Sequence, residues 1–468
     1  MRVLFASAEL APLARVGGLA EAASGLVRAI RQTDTEILPV LPDYQGIELL
    51  DEESWEIPMP YWAGPARARR GTHADTGEII LVDFPGIARP HPYVDPVTSE
   101  PWPDNDNRFI TFSAAVAALT QQLDPDVLHL NDWHTASTLG FLPSPPPTVL
   151  TIHTLGYQGV TESSWLSRWP VDSWKFAWYD VANPLVGAIR SADAIVAVSP
   201  NYAAEVLRPE TGMGMHDELA RRGDALVGIR NGIDVSIWNP AIDPTLPATY
   251  DYANVKDGKA AARAALMERA GWENDRSLLI SVVSRLVDQK GMDLIVDLVP
   301  FLSGIGARVF LLGSGTPQIT ADIRAAADAN PDVFVAETDR YDEPLAHLLF
   351  AGADAFAMPS RFEPCGLAQM QAMAYGTPTI ATAVGGLVDT IIDIDADRQR
   401  GTGFLTITND LAGFVDATHR AARSIGSPQR RRAMQKRGMT TDWSWAAPAQ
   451  QHIELYERTI AARQTSNR

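Results

Sequence analysis

Cysteine is almost absent. Cys365 is the only one in 468 residues, so no disulfide can form within the chain, and a reducing compartment such as the cytoplasm fits. Basic residues are also scarce: 39 Lys and Arg stand against 57 Asp and Glu, a formal charge of −18. A field of that sign repels polyanions, so nucleic acid is a poor partner. No apolar run approaches the length of a membrane span, which argues against a membrane partner. The opening Met-Arg-Val-Leu-Phe-Ala-Ser-Ala-Glu has too short an apolar stretch for a signal peptide. With 34 Gly and 33 Pro the chain has no low-complexity bias. These absences leave a soluble globular protein in which any anionic ligand needs a local basic pocket.

What is present is a twice-repeated alternation of apolar runs and helical patterns, and the length favours two domains. Arg2–Ala6, Glu36–Leu41, Glu78–Phe84, Val127–Leu130, Thr148–His153 and Ala194–Val198 read as buried strands, with a helix over Leu19–Ile30. The alternation starts again with strands at Leu278–Val283, Ala307–Leu312, Ala355–Met358 and Thr379–Ala381 and a helix at Gly291–Val299. Such spacing predicts parallel sheets covered on both faces. Pro143–Pro147 reads as a stiff loop, Asn239–Tyr250 as a linker, and Ala446–Arg463 as a final helix.

The candidate chemistry sits at strand ends, where open α/β sheets hold their ligands. Gly17-Gly18 after the first strand lets a backbone approach a ligand, although a tight turn also needs glycine. The spaced glycines of a dinucleotide fingerprint are missing. Asp132, in His129-Leu130-Asn131-Asp132-Trp133-His134, suits a sugar hydroxyl, and a helix cap beside a packed Trp is the structural alternative. His153 ends its strand ahead of a glycine-bracketed loop. Arg285 and Lys290, in Ser-Arg-Leu-Val-Asp-Gln-Lys-Gly, place two cations on one strand-to-helix loop and supply the basic pocket. In Pro359-Ser-Arg-Phe-Glu-Pro-Cys-Gly-Leu367, Glu363 stands beside a helix start that aims N–H groups at an anion. Gly385-Gly386 repeats the close-approach device.

These stretches together resemble the bacterial glycogen synthase and starch synthase family of retaining glycosyltransferases. Ser7–Glu21, Asn131–His134, Ile152–Gly159, Asn231–Pro240, Ser284–Gly291, Pro359–Leu367, Gly385–Thr390 and Trp443–Tyr456 carry the resemblance along nearly the whole chain. It implies an α/β glycosyltransferase B fold: two Rossmann-like domains facing across a cleft. The expected division is 1–238, completed by a helix in 443–468, and 239–442. The resemblance further implies that Arg285 and Lys290 hold the donor diphosphate and Glu363 binds glucose hydroxyls. His153 would lie against the glucose, with Asp132 and Asn231 nearby. Tyr341 would pack on the base, and Cys365, Gly366 and Leu367 would form the phosphate-facing turn. Arg15, Gly17 and Gly18 would complete the donor site. Two positions depart from the family pattern, Arg15 for the usual Lys and Ala368 for a frequent Thr.

The expected reaction moves glucose from ADP-glucose, or another nucleoside-diphosphate glucose such as UDP-glucose, to an α-1,4-glucan, without cofactor or metal. Asp-x-Asp spacings at 104–106, 124–126 and 393–397 lie outside the phosphate-facing loops and read as solvated turns. A sugar-phosphate acceptor, or a glucan-binding protein without catalysis, are the alternatives. Trp165, Trp169, Trp174 and Trp178 form an aromatic cluster whose spacing matches a packed helix better than an acceptor platform.

Overall fold

The computed structural model describes residues 1–44, 46–98 and 100–466, and the chain divides into two units, Met1–Gly232 with Trp445–Arg468, and Ile233–Ser444. The boundaries differ from the expected 238 and 443 for a local reason. Ile233 N donates to Trp443 O at 2.8 Å, and Trp238 stacks on His347 at 4.1 Å, so both crossing segments are packed into the second unit.

In the first unit the strands are β1 (Arg2–Ala6), β2 (Glu36–Pro42), β3 (Leu50–Ile57), β4 (Ala66–His73), β5 (Gly77–Asp83), β6 (Val127–Asn131) and β7 (Thr148–Ile152). They are followed by β8 (Thr161–Glu162), β9 (Ala177–Trp178), β10 (Val181–Ala182), β11 (Ala194–Ala197) and β12 (Leu226–Gly228). The main sheet runs β12-β11-β7-β6-β1-β2-β5-β4-β3. From β12 to β5 every pairing is parallel, as the apolar runs predict. The antiparallel ribbon β3–β4–β5 at one edge is not legible as apolar runs, because β3 and β4 are charged and joined by pairs such as Arg69–Glu52 at 2.8 Å.

The strand order reverses between β1 and β6, so the loops after these two strands open onto one crevice. The helix Gly18–Ile30 follows the first loop and buries Leu19, Ala23, Leu26, Val27 and Ile30. The final helix, Ala446–Ser466, packs on this unit: Tyr456 Oη lies 2.6 Å from His129 Nδ1, and Arg463 pairs with Asp193 at 3.0 Å. Among the described residues no helix is long and apolar enough to cross a membrane.

The second unit has β13 (Leu278–Val283), β14 (Ala307–Leu312), β15 (Phe334–Glu337), β16 (Ala355–Met358), β17 (Thr379–Ala381) and β18 (Phe404–Leu405). Their order is β15-β14-β13-β16-β17-β18, parallel throughout, with the reversal between β13 and β16. Ile280, Val282, Val309, Leu311, Ala355 and Ile380 bury one face of this sheet against helices such as Met292–Ile305 and Leu411–Ile425. Each unit is thus Rossmann-like by strand order, not only by composition.

Two sequence expectations are corrected here. The segment Asn239–Tyr250 is no free linker, because buried Asp243 accepts from Tyr375 Oη at 2.5 Å and lies 2.7 Å from His347 Nδ1. The tryptophan cluster forms no α-helix; Trp165 and Trp174 lie in 3-10 turns, Trp169 closes the first of them, and Trp178 is on the short strand β9. Trp165 and Trp169 are buried, as a packing role requires, whereas Trp174 is 67% exposed.

Candidate functional site

In the first unit the sequence-predicted residues gather on the loops after β1, β6 and β7. Glu9 is the hub of the first loop. Its buried carboxylate accepts from Val16 N at 2.8 Å, Gly17 N at 2.9 Å and Tyr93 Oη at 2.7 Å. Gly17 therefore spends its N–H inside the unit, while Gly18 opens the helix with no side-chain cap. A methyl group on either glycine would meet no atom within 4 Å, so internal crowding does not demand glycine there. Arg15 is exposed and pairs with Glu21 at 2.8 Å.

Asp132 follows β6 with φ of +53° and receives the His153 N–H on Oδ1 at 2.7 Å. Burial raises its carboxyl to about 7, against the N–H groups of His153 and Thr154, which favour the charged form. His153 is held to about 3 by burial and by His452, so its ring is neutral. Its Nε2 lies 2.9 Å from Asn131 Oδ1, and Asn231 is buried beside the same small cavity as His153, Trp445 and His452. Asp132 is thus bonded to His153, and Asn231 shares the cavity beside it.

In the second unit the loops after β13 and β16 meet at the strand-order reversal. Lys290 Nζ lies 2.5 Å from Glu363 Oε2, and Ser360 Oγ donates to the same oxygen at 2.9 Å. Two glycines permit this approach. Gly291 has φ of +63°, and a β-carbon there would lie 2.0 Å from Pro359 O; at Gly385, φ is +45° and the clash is 1.9 Å from Glu363 O. The pair Gly385-Gly386 packs closely on the motif's own backbone: Gly386 N donates to Glu363 O at 2.9 Å.

Arg285 is exposed, and no ion-pair partner for it exists among the described residues. Gly366 and Leu367 precede the helix Ala368–Ala374, which has no side-chain cap. Gln369, fully buried, donates through Nε2 to Cys365 O at 3.1 Å and Gly366 O at 3.0 Å, fixing the turn. Tyr341 is 46% exposed just beyond β15, before Asp342, which caps the next helix through Leu345 N at 3.1 Å. An open hollow of about 580 Å³ lies beside it in sequence, lined by Ser314, Gly315, Arg324, Thr338 and Asp339.

The Asp-x-Asp spacings are bound within the fold. Asp393 and Asp395 share Arg420 at 2.9 and 3.1 Å, so this turn is ion-paired and only partly solvated. Asp106 accepts from Thr161 and Asp126 from Arg2 N, each at 2.6 Å. No cluster of His, Cys, Asp and Glu able to hold a metal occurs among the described residues. Sequence reasoning did not single out Glu9, Tyr93, Asn131, Ser360 or Gln369. All but Tyr93 lie inside or directly beside the motif stretches, where attention to buried polar neighbours finds them.

Comparison with known proteins finds relatives along nearly the whole chain. The family model described as the starch synthase catalytic domain matches residues 2–221, and that of glycosyl transferases group 1 matches 277–424. A glycogen synthase of Halorhodospira halophila is 38% identical, covering 99% of this chain and 100% of its own. One from Alkalilimnicola ehrlichii is 39% identical, covering 98% and 99%. The catalytic domain of starch synthase IV from Arabidopsis thaliana, solved with ADP and acarbose, superposes with a TM-score of 0.87 at 31% identity over 98% of this chain and 99% of that one. A sucrose-phosphate synthase from Thermosynechococcus elongatus shares the fold at TM-score 0.63 and 18% identity, covering 98% and 99%.

Proposed function

Because the chain belongs to the glycogen synthase and starch synthase family of glycosyltransferases, we propose that it transfers glucose from ADP-glucose to the non-reducing end of an α-1,4-glucan with retention of configuration. The observation that carries this reading is the Lys290–Glu363 pair at the strand-order reversal of the second unit. A carboxylate there suits sugar hydroxyls, and two cations on the adjacent loop suit a diphosphate.

The strand order gives the donor a direction. Glu363 follows β16, Arg285 and Lys290 follow β13, and Ser314 and Tyr341 follow β14 and β15. Sugar, diphosphate and base then lie in that sequence along one sheet edge, with the base at the hollow beside Ser314 and Thr338. The ADP bound in starch synthase IV supports an adenine nucleotide in this reading. From the first unit we assign His153, Asp132 and Asn231 to the glucosyl group and Arg15 and Gly18 to the phosphates.

When the bond from the anomeric carbon to the phosphate oxygen breaks, its electron pair stays on the nucleoside diphosphate. Arg285 and Lys290 stabilise that charge as fixed electrostatic groups. The acceptor hydroxyl attacks from the face the diphosphate leaves, and its proton passes to a departing phosphate oxygen. No metal and no cofactor enters this scheme. A cytoplasmic setting is part of this proposal, supported by the single, buried cysteine, Cys365.

The test is steady-state kinetics with a malto-oligosaccharide primer, following nucleoside diphosphate release from ADP-glucose and UDP-glucose. A higher kcat/KM for ADP-glucose and new α-1,4 linkages by NMR are expected. Preference for UDP-glucose overturns the donor assignment, and release without chain elongation overturns the acceptor.

A further inference from the structure

His153 faces two kinds of neighbour, and one of them fixes where its proton sits. Asn131, the last residue of β6, is 1% exposed, and its Nδ2 donates to Ala6 O at 2.9 Å. A backbone carbonyl only accepts, so this bond fixes the NH2 end of the amide. The amide oxygen, Oδ1, then points at His153 Nε2, 2.9 Å away. That oxygen also only accepts, so Nε2 must carry the hydrogen, and in a neutral ring Nδ1 keeps its lone pair. Nδ1 has no hydrogen-bond partner among the described residues, and it is not one of the sealed buried polar atoms.

We propose that Asn131 is the positioning residue of His153: it holds the Nε2–H tautomer and so makes the imidazole an acceptor, not a donor, toward a hydroxyl of the transferred sugar. This rests on the reading of His153 as a sugar-side residue. The frame around the pair is stiff. Asn131 N donates to Thr135 Oγ1 at 2.8 Å, and the His153 N–H is held by Asp132 at 2.7 Å, so neither backbone is free to swing. The other groups around the ring are His452 and Trp445, with Thr151 and Asn231, and the titratable groups that interact with it are His129, His134 and His452. An acceptor at Nδ1 binds only a group that can donate, which selects a hydroxyl over an ether oxygen or a carbonyl.

The experiment is nitrogen-15 NMR of the ligand-free full chain labelled at histidine, near neutral pH, with His153→Ala to assign the ring. The expected spectrum shows protonated Nε2 and bare Nδ1. An Nδ1–H tautomer or a cationic ring overturns the inference whatever the enzyme's activity. Asn131→Leu should mix the tautomers and lower kcat by about tenfold, the scale of one misdirected hydrogen bond. Asn131→Asp keeps an acceptor at Nε2, so it should preserve the tautomer, recover part of the lost turnover, and add an acid limb to the kcat profile as the imidazole becomes easier to protonate. If Asn131→Leu loses the tautomer with turnover and KM unchanged, His153 does not act on the sugar and the reading beneath the proposal fails, although the tautomer assignment holds.

Discussion

Lys290 and Glu363 form an ion pair at 2.5 Å in which the lysine side chain is 16% exposed and the carboxylate 6%. The two partners are unequal, since the lysine reaches water and the carboxylate does not. Lys290→Ala should therefore be the more destabilising change, up to about 3–5 kcal/mol, because it strands a buried charge. Glu363→Ala should cost little stability and about a hundredfold or more in kcat. The double variant should regain stability over Lys290→Ala without regaining turnover. Equal melting temperatures for the two single variants would contradict this asymmetry.

Gly291→Ala should act at a distance from any ligand. Its β-carbon would meet Pro359 O at 2.0 Å in a left-handed backbone, so the Lys290 loop must move. Strain of about 1–2 kcal/mol is expected from the conformation alone, with a rise in donor KM as Lys290 loses its place. Unchanged kinetics with a lowered melting temperature would show that the loop's position is not critical to donor binding.

Acid should weaken the first unit. Burial holds His134 and His153 at about 3 and His452 at about 4, whereas the unfolded chain binds protons on them below about 6.5. Their contribution is present above that pH and is lost as pH falls from 6.5 toward 4, each by up to about 1.4 kcal/mol per unit. Asp132, raised to about 7, acts oppositely, since its stabilising effect fades as pH rises from about 4 to 7. The histidines outnumber it, so the melting temperature should fall between pH 6.5 and 4. A flat profile in that window would contradict their burial as neutral rings.

Transfer should survive exhaustive chelation, because Arg285 and Lys290 provide the positive charge at the diphosphate. Initial rates with EDTA, then with added magnesium or manganese, check this. A requirement for either ion would reopen the question of where a metal is held.

The parallel strands were legible because each is a run of apolar residues closed by a glycine or polar loop, and the motifs stand at their ends. Glu363 and Lys290 could be named as site residues from the sequence, but not as partners: they are far apart in the chain, and only the neighbouring of β13 and β16 pairs them. The ribbon β3–β4 was missed because its stability comes from cross-strand charge, which leaves no apolar pattern. Asn239–Tyr250 read as a linker for a related reason. Its composition is that of a loop, and nothing local shows that Asp243 is buried against His347 and Tyr375.

Strand β3 ends the large sheet, so one row of its backbone hydrogen-bonding groups is open to any other extended chain. It carries Asp51, Glu52, Glu53 and Glu56, nearly all of it exposed. Two such edges repel each other while the carboxylates are ionised, which guards the enzyme against edge-to-edge polymerisation at high concentration. Replacing Asp51, Glu53 and Glu56 by their amides removes the guard, so in concentrated solution that variant should begin to self-associate through this edge while still folded.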